Sequence, residues 1–347
     1  MSRTHAPAVG ARSLGSLLRS VPNTPIILMT VGIFIVSGVF AAGSLSSASL
    51  NTMLPLAAVL AIAGIGQSLV IQQRGMDLSG AGVITLTAVI VSQQTKGDAS
   101  ALPAALALSF IVAVLVGLIN GSLVRFGLVS IVMTLAMYQV LIGMVHQWSS
   151  GVAAAVPDNL THFVNGSILG VPLSVLLVVA VVAIATFILR MTTMGRRFVE
   201  SGINRVAAFA NGSRVSFHAI FAYVACSVCY WGAGVLLAGY LGAPSLSVGD
   251  AYLLAPIAVV VLGGNSFGSS KISLVATALG ALFLMQLTQF TLSLGAPKSS
   301  QLYVQAAGIV ALPLARFILT RLRRRARSAH PASASNDRSG VPAVMAG

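Results

Sequence analysis

The sequence predicts an all-α protein, a polytopic bundle of about ten membrane-spanning helices. Three observations predict it. Of 347 residues, 56% are hydrophobic and only 7% charged, against about 25% charged in an ordinary soluble chain, so lipid must cover much of the surface. The apolar residues come in runs such as 22–43, 53–71 and 172–189, each near the roughly 20 residues that cross a bilayer. The Lys and Arg residues, with a net charge of +14, fall in the gaps between these runs. Topology signals behave this way, whereas a nucleic-acid binder gathers its charge on one face, so no nucleic-acid partner is expected.

Residues 1–23 carry Arg3, Arg12 and Arg19 and read as a cytoplasmic segment. The apolar stretch 26–42 exceeds the roughly 7–15-residue core of a cleaved signal peptide, so it reads as a retained first helix. A transmembrane domain follows over 24–320, with spans near 24–43, 51–73, 79–93, 101–123, 126–147, 168–190, 216–238, 250–263, 272–293 and 300–320. The third and eighth are too short for a straight crossing. They read as broken or partly re-entrant helices that must line protein or a cavity.

With ten spans and the N-terminus inside, every Lys and Arg except Lys96 and Lys298 falls on the cytoplasmic side. Inverting the chain reverses that bias, and nine spans scramble it. The chain is therefore expected in the inner (plasma) membrane with both termini cytoplasmic. Residues 321–347 are basic, then rich in Ser, Ala and Pro, and are expected to be a disordered cytoplasmic tail. Their arginines either meet anionic membrane lipid or hold the last helix in register.

Several chemistries have no residues to carry them. There is no G-x-x-x-x-G-K-[ST] phosphate loop, no G-x-S-x-G or H-E-x-x-H, and no carboxylate cluster. No catalytic residue, metal ligand or cofactor is expected, and the chain does not read as an enzyme. Cys226 and Cys229 lie in an apolar helix without a second Cys or His pair, and read as small core residues. The acidic residues Asp77, Asp98, Asp158, Glu200, Asp250 and Asp337 all fall outside the middle of a span. This argues against a carrier driven by protons or sodium, which keeps an ionisable or carbonyl-rich site at the midplane.

The largest inner loop, 191–215, contains GINRVAAFANGSRV. Asn204 suits a helix N-cap and Gly212 the left-handed residue that ends a helix. Between them is a helix of about two turns with Val206, Phe209 and Ala210 on one face. So short a helix needs something to pack on, either the bilayer surface or a cytoplasmic partner that docks on it. In GMDLSGAG (75–82), Asp77 or Ser79 suits the cap of the third helix, for structure alone or for gating or partner contact. Gln67, Asn120, Gln139, Gln286, Gln289, Gln301 and Gln305 recur inside the spans. Such amides join helices or line an uncharged path. The pathway candidates are Gln67, Gln139, Gln286, Gln289 and Gln305.

The runs SLVIQQRGMDLSGAG (68–82), GLINGSLVRF (117–126), GINRVAAFANGSRV (202–215) and AVVVLGGNSFGSS (258–270) come in the order found in ribose-type sugar permeases of ATP-binding cassette transporters. The chain resembles that family over roughly residues 50 to 315. The resemblance implies a type II importer-like fold, cytoplasmic ATPase subunits, a periplasmic or lipid-anchored solute-binding protein, and a second permease copy, identical or a paralogue. It implies transport of a small neutral polar solute such as a monosaccharide. Asn204, Ala207, Ala208 and Gly212 match the family's ATPase-coupling segment, in which Arg205, Val206 and Phe209 also lie. Gly75, Asp77, Leu78 and Ser79 match the first signature, Gly117, Asn120 and Gly121 the second, and Gly263, Gly264 and Ser266 the third. The chain departs from the pattern at Arg205 and Val206, where acidic residues are usual, and at Ser269, Ser270, Ile272 and Ala276, where glycines are expected. Two other readings stay open: an ion-coupled secondary carrier, or a permease of the same class for a branched-chain amino acid, polyol or nucleoside.

Overall fold

The computed structural model describes residues 23–270, 272–297, 299–310 and 314. The N-terminal arginines, the end of the last span and the basic tail lie outside the described residues. The architecture is helical. In chain order it runs α1 (Thr24–Phe40), α2 (Ser47–Gln72), α3 (Gly80–Thr95), α4 (Leu102–Arg125), α5 (Ser130–Ser149), α6 (Asp158–Asn165), α7 (Leu173–Met191), α8 (Thr193–Ile203), α9 (Arg205–Ala210), α10 (Val215–Leu241), α11 (Ala255–Leu262) and α12 (Leu274–Ser293), then a helix over 299–310. The all-α expectation needs one small amendment. A two-residue ladder pairs β1 (Ser167–Ile168) with β2 (Val171–Pro172), closed by Leu169 and Gly170, both at positive φ, as a tight hairpin turn requires.

Six helices among the described residues are long and apolar enough to cross a membrane, and Thr24–Phe40 and Asp250–Leu262 are apolar but shorter. These several spans make the protein a multi-pass membrane protein. The layering follows from burial. In α2, 89% of the most apolar window is buried, against 17% in α5 and in α7, so α2 is central while α5 and α7 turn a wide face outward. The expected short third span is α3, with 16 residues and a length of about 24 Å at 1.5 Å per residue, less than the roughly 30 Å of hydrocarbon. It is buried on all sides from Gly80 to Ser92, so it touches protein and not lipid. The still shorter α11, with 8 residues, buries Pro256, Ala258, Val259, Val260 and Leu262.

Close backbone approach sets the packing. Gly117 and Gly121, one turn apart on α4, lie against α10, where a Cβ would sit 2.6 Å from Val224 Cα and 2.8 Å from Ile220 Cα respectively. This is the small-xxx-small contact of membrane helices. Cys226 is buried and Cys229 half-buried, both as free thiols, and both pack on Gly66 of α2. On the far loop, Asp98 accepts from the Ser100 hydroxyl (2.7 Å) and N–H (2.8 Å), and these hold its carboxyl below the usual range.

Two sequence expectations are corrected. The loop 191–215 holds two helices and not one. Thr192 caps α8, accepting from Gly195 N–H at 3.0 Å. The signal for α8 was available: Thr192 suits an N-cap, and Met194, Phe198 and Val199 share one side of a helix whose other side carries Arg196, Arg197 and Glu200. The second correction concerns the cap of α3. Ser79 stands just before the helix without a side-chain cap bond, and Asp77, only 2% exposed, bonds Ser79 in the segment between α2 and α3 instead.

Candidate functional site

Four chain segments meet at the end of the bundle where α2 terminates, and α9 projects from their junction. Asn204 Oδ1 accepts from the N–H groups of Val206 (3.0 Å) and Ala207 (3.1 Å), the cap its side chain implies. Gly212 has φ 74° and donates to Phe209 O at 2.9 Å, ending the helix. Val206 is 80% and Phe209 75% exposed, and Arg205, Ala207 and Ala210 are exposed too. Ala208 alone of this helix is buried, its face turned toward the bundle.

Six residues cannot hold a helix by themselves, and the terminus of α2 holds this one. Arg74 Nε donates to Gly202 O at 2.9 Å, and its Nη2 donates to Ile203 O. These are two of the carbonyls that the end of α8 leaves without an intrahelical partner, and a cation there also suits the helix dipole. Arg205 returns the contact, donating to Gln73 O at 3.2 Å. Gln73 Nε2 donates to Phe198 O (2.7 Å), and Gln72 Nε2 to Ser269 O (2.8 Å) and Val199 O (3.3 Å). Gly202 sits so close that a Cβ would collide with the Gln72 carbonyl, and a Cβ on Gly268 would lie 2.5 Å from Gly202 O. The ends of α2 and α8, the base of α9 and the 263–270 loop are thus one hydrogen-bonded unit. Sequence reading passed over Gln72, Gln73 and Arg74. Three long polar side chains at the end of an apolar run were the available signal.

The first signature forms a second polar centre. Asp77 Oδ1 accepts from Ser79 N–H (2.9 Å) and Ser79 Oγ–H (2.6 Å), and Asn120 Nδ2 of α4 donates to Ser79 Oγ (2.9 Å). Leu78 N–H donates to Thr134 Oγ1 (2.9 Å) and Met76 N–H to Ser130 Oγ (3.2 Å), both on α5. Gln67 lies beneath. With its amide oriented to suit its neighbours, it donates to Asp77 O (3.1 Å) and Tyr230 OH (2.7 Å) and accepts from Asp77 N–H (3.3 Å). Asp77 Oδ2 and Asn120 Oδ1 are buried without a partner. Ser79 precedes α3, but its side chain makes no cap bond there. Asp77 closes a turn onto Ser79 instead. Gly75 and Gly80 pass directly against Tyr223 and Tyr230.

The third signature closes mainly on itself. Asn265, not singled out by the sequence, bonds Ser273 through both amide atoms (Oδ1 to N–H 2.9 Å, Nδ2 to O 3.1 Å) and donates to Thr277 Oγ1 (2.9 Å). Gly263 lies on the α12 backbone at Ala276 and Thr277, Gly264 has φ 79°, and Ser266 is exposed.

The amides divide. Gln67 and Gln286 are fully buried, and Gln286 Nε2 donates to Ser37 Oγ of α1 (2.9 Å). Gln305 donates to Thr288 Oγ1 (2.7 Å), and Gln301 to Ala296 O (3.1 Å). Gln289 is half-buried and Gln139 exposed on α5. Among the described residues no group of three or more His, Cys, Asp or Glu stands close enough to hold a metal ion.

Residues 49–313 match the family model described as branched-chain amino acid transport system / permease component. The chain is 31% identical over 268 residues to the ribose import permease protein RbsC of Escherichia coli (strain K12), covering 76% of this chain and 83% of that one. It is 30% identical over 253 residues to the fructose import permease protein FruF of Bifidobacterium longum (strain NCC 2705), covering 71% of each. It is 27% identical over 269 residues to the autoinducer 2 import system permease protein LsrD of Photorhabdus temperata, covering 75% and 80%. No solved structure matches.

Proposed function

The chain belongs to the branched-chain amino acid transport system / permease component family, and from that membership we propose how its geometry serves import. It is the permease subunit of an ATP-binding cassette importer, a multi-pass inner-membrane transport component and not an enzyme. Hydrolysis takes place on separate ATPase subunits, and a solute-binding protein delivers the cargo. The cargo is a small neutral polyhydroxylated solute, a monosaccharide first of all. The relatives named for ribose and fructose support that class, while the one named for autoinducer 2 keeps the exact molecule open.

Within that reading, the chain crosses the membrane about ten times with both termini cytoplasmic, so that α9 faces the ATPase. One observation supports this assignment above others: the apolar side chains Val206 and Phe209 stand exposed on a helix braced from behind. Burying each in a partner's groove is worth about 1.5–3 kcal/mol, and the arginine and glutamine bonds behind α9 carry the push to α2, α8 and the 263–270 loop. A second permease copy completes the pathway, which Gln139 and Gln289 suit better than the internally bonded Gln67 and Gln286.

The test is the double variant V206D/F209D, co-expressed with its ATPase and reconstituted with the binding protein. Co-purification with the ATPase and ATP-driven uptake should each fall at least tenfold, with the thermal unfolding of the isolated permease unchanged. Normal uptake would end the docking assignment. A cysteine at position 207 should resist membrane-impermeant thiol reagents in intact cells, and labelling there would invert the topology. Ala208, which matches the coupling pattern, is a poor probe because it is buried.

A further inference from the structure

A cleft between α7 and α12 changes character along its length. Its apolar part, about 570 Å³, is within the 300–1,000 Å³ usual for a ligand site. Its floor is the small side chains Ala57, Ala58 and Ala61 of α2, and its walls are apolar residues such as Val178 and Leu282. From Val175 to Thr186 on α7 the groove runs about 16 Å at 1.5 Å per residue, which is the depth of one leaflet of a roughly 30 Å hydrocarbon core. Thr186 and Val275 border both this groove and a polar recess of about 230 Å³ that holds Arg190. Arg190 in turn borders a larger recess of about 790 Å³ with Arg196 and Glu200. Neither arginine side chain makes a hydrogen bond or ion pair among the described residues, and the Thr186 hydroxyl is buried without a partner.

An apolar trough one leaflet deep, opening on two unengaged guanidinium groups, has the polarity of a single amphiphile. We propose that this cleft holds one glycerophospholipid with an anionic, hydroxyl-bearing headgroup. An acyl chain lies along the alanine floor. The Thr186 hydroxyl turns to an ester oxygen at the seam. Arg190 and Arg196 face the phosphate, to which guanidinium forks are well matched, and Glu200 accepts from headgroup hydroxyls. A bare phosphate would leave the trough empty, and a zwitterionic lipid would bring a second cation to the arginines. The proposal rests on the membrane placement of the chain and not on what it transports. The recess also borders Val199 of α8 and Gly264 of the third signature, so the lipid would sit against the junction behind α9.

Native mass spectrometry of the full chain, offered equimolar phosphatidylglycerol and phosphatidylcholine in mild detergent, should show phosphatidylglycerol retained at least fivefold over the other. R190Q/R196Q should bring the ratio close to one, and Ala278→Trp, which fills the trough, should reduce retention of both lipids. Equal retention by the wild-type chain, or a preference that survives R190Q/R196Q, overturns the proposal. So does displacement of the lipid by millimolar inorganic phosphate, which would mark a site for free anions. If a variant fails to fold, the wild-type chain still decides. A photoactivatable phosphatidylglycerol should label peptides of α7 and α12, whereas labelling only elsewhere, or a cross-link through this cleft to a second copy of the chain, excludes lipid from it.

Discussion

The two interrupted connections, 73–79 before α3 and 263–273 before α12, use one device in two ways. In each, an Asx side chain bonds a serine that stands just before the next helix: Asp77 to Ser79, Asn265 to Ser273. Around the first, bonds reach α2 through Gln67, α4 through Asn120, α5 through Ser130 and Thr134, and α10 through Tyr230. The second is closed by its own residues and the first turn of α12, with the Thr277–Ser68 hydroxyl pair (3.0 Å) reaching α2. Its tip touches the rest of the chain mainly through backbone groups, Gly268 N–H to Ile71 O (3.3 Å) and Ser269 O from Gln72. One connection is riveted to four helices. The other is closed largely on itself and is bonded at its tip to the element that carries α9. In an alternating machine, the first has the construction of a fixed point and the second that of a lever.

If the first is the fixed point, breaking it should cost most. Asp77→Ala leaves the Ser79 N–H and hydroxyl without their acceptor in a buried setting, and bonds to such a group are worth about 1.5–3 kcal/mol each, less what relaxation recovers. A loss of about 3 kcal/mol should appear as a lower thermal unfolding midpoint of the purified chain. Asp77→Asn keeps an accepting oxygen and should lose less than half as much. Equal losses for both would mean that charge, and not hydrogen bonding, holds the segment.

Next comes the contact that the two connections share. Gly202→Ala drives a methyl into the Gln72 carbonyl, and neither partner is a flexible side chain. Overpacking of this kind costs about 1–3 kcal/mol. It also parts α8 from the end of α2, so coupled uptake should fall at least tenfold even at temperatures where the chain is folded. Wild-type uptake in a folded Gly202→Ala variant would show that force does not pass through this junction.

How far the sequence foretold these centres depends on the range of the forces involved. The long helices followed from apolar runs, while the short amphipathic α6 and α8 did not, and the N-cap Asn204 and the left-handed Gly212 followed from local backbone rules, so α9 was legible residue by residue. The burial of α3 followed from its length. The expected cap of α3 was not made, because Asp77 and Ser79 bond each other in an extended segment whose path periodicity does not encode. Arg74, Gln72 and Gln73 were missed because their partners lie 125 to 197 positions away, where spacing carries no signal. Asn265 stood inside a recognised signature, yet its role depends on a loop closing eight residues later. Gln67 and Gln286 were open to two readings because a buried amide and a pathway amide look alike until a partner is seen.

Asn265→Ala should cost less than Asp77→Ala. It removes three neutral bonds, each worth about 0.5–1.5 kcal/mol net, but the loop is near solvent and water can replace part of them. About 1.5 kcal/mol is expected. Thr277→Val, which cuts the hydroxyl link to both Ser68 and Asn265, should be comparable. A loss at Asn265 as large as at Asp77 would erase the distinction between the two connections.

The smallest effect should come from Phe267, at the tip of the second connection. It is 50% exposed, and the bonds of Gly268 N–H to Ile71 O and of Gln72 to Ser269 O that help seat the tip do not involve its ring. Truncation to Ala therefore removes little buried area, and exposed substitutions of this kind usually stay within about 0.5 kcal/mol. The isolated chain should unfold at the wild-type temperature, and hydrogen exchange at the Gly268 amide should be unchanged, since its bond to Ile71 O does not involve the ring. A destabilisation above about 1 kcal/mol would mean that the ring anchors the tip as Tyr230 and Gln67 anchor the first connection. Two rivets would then replace a rivet and a lever, and motion of α9 would have to be absorbed by tilting whole spans and not by a loop poised against them.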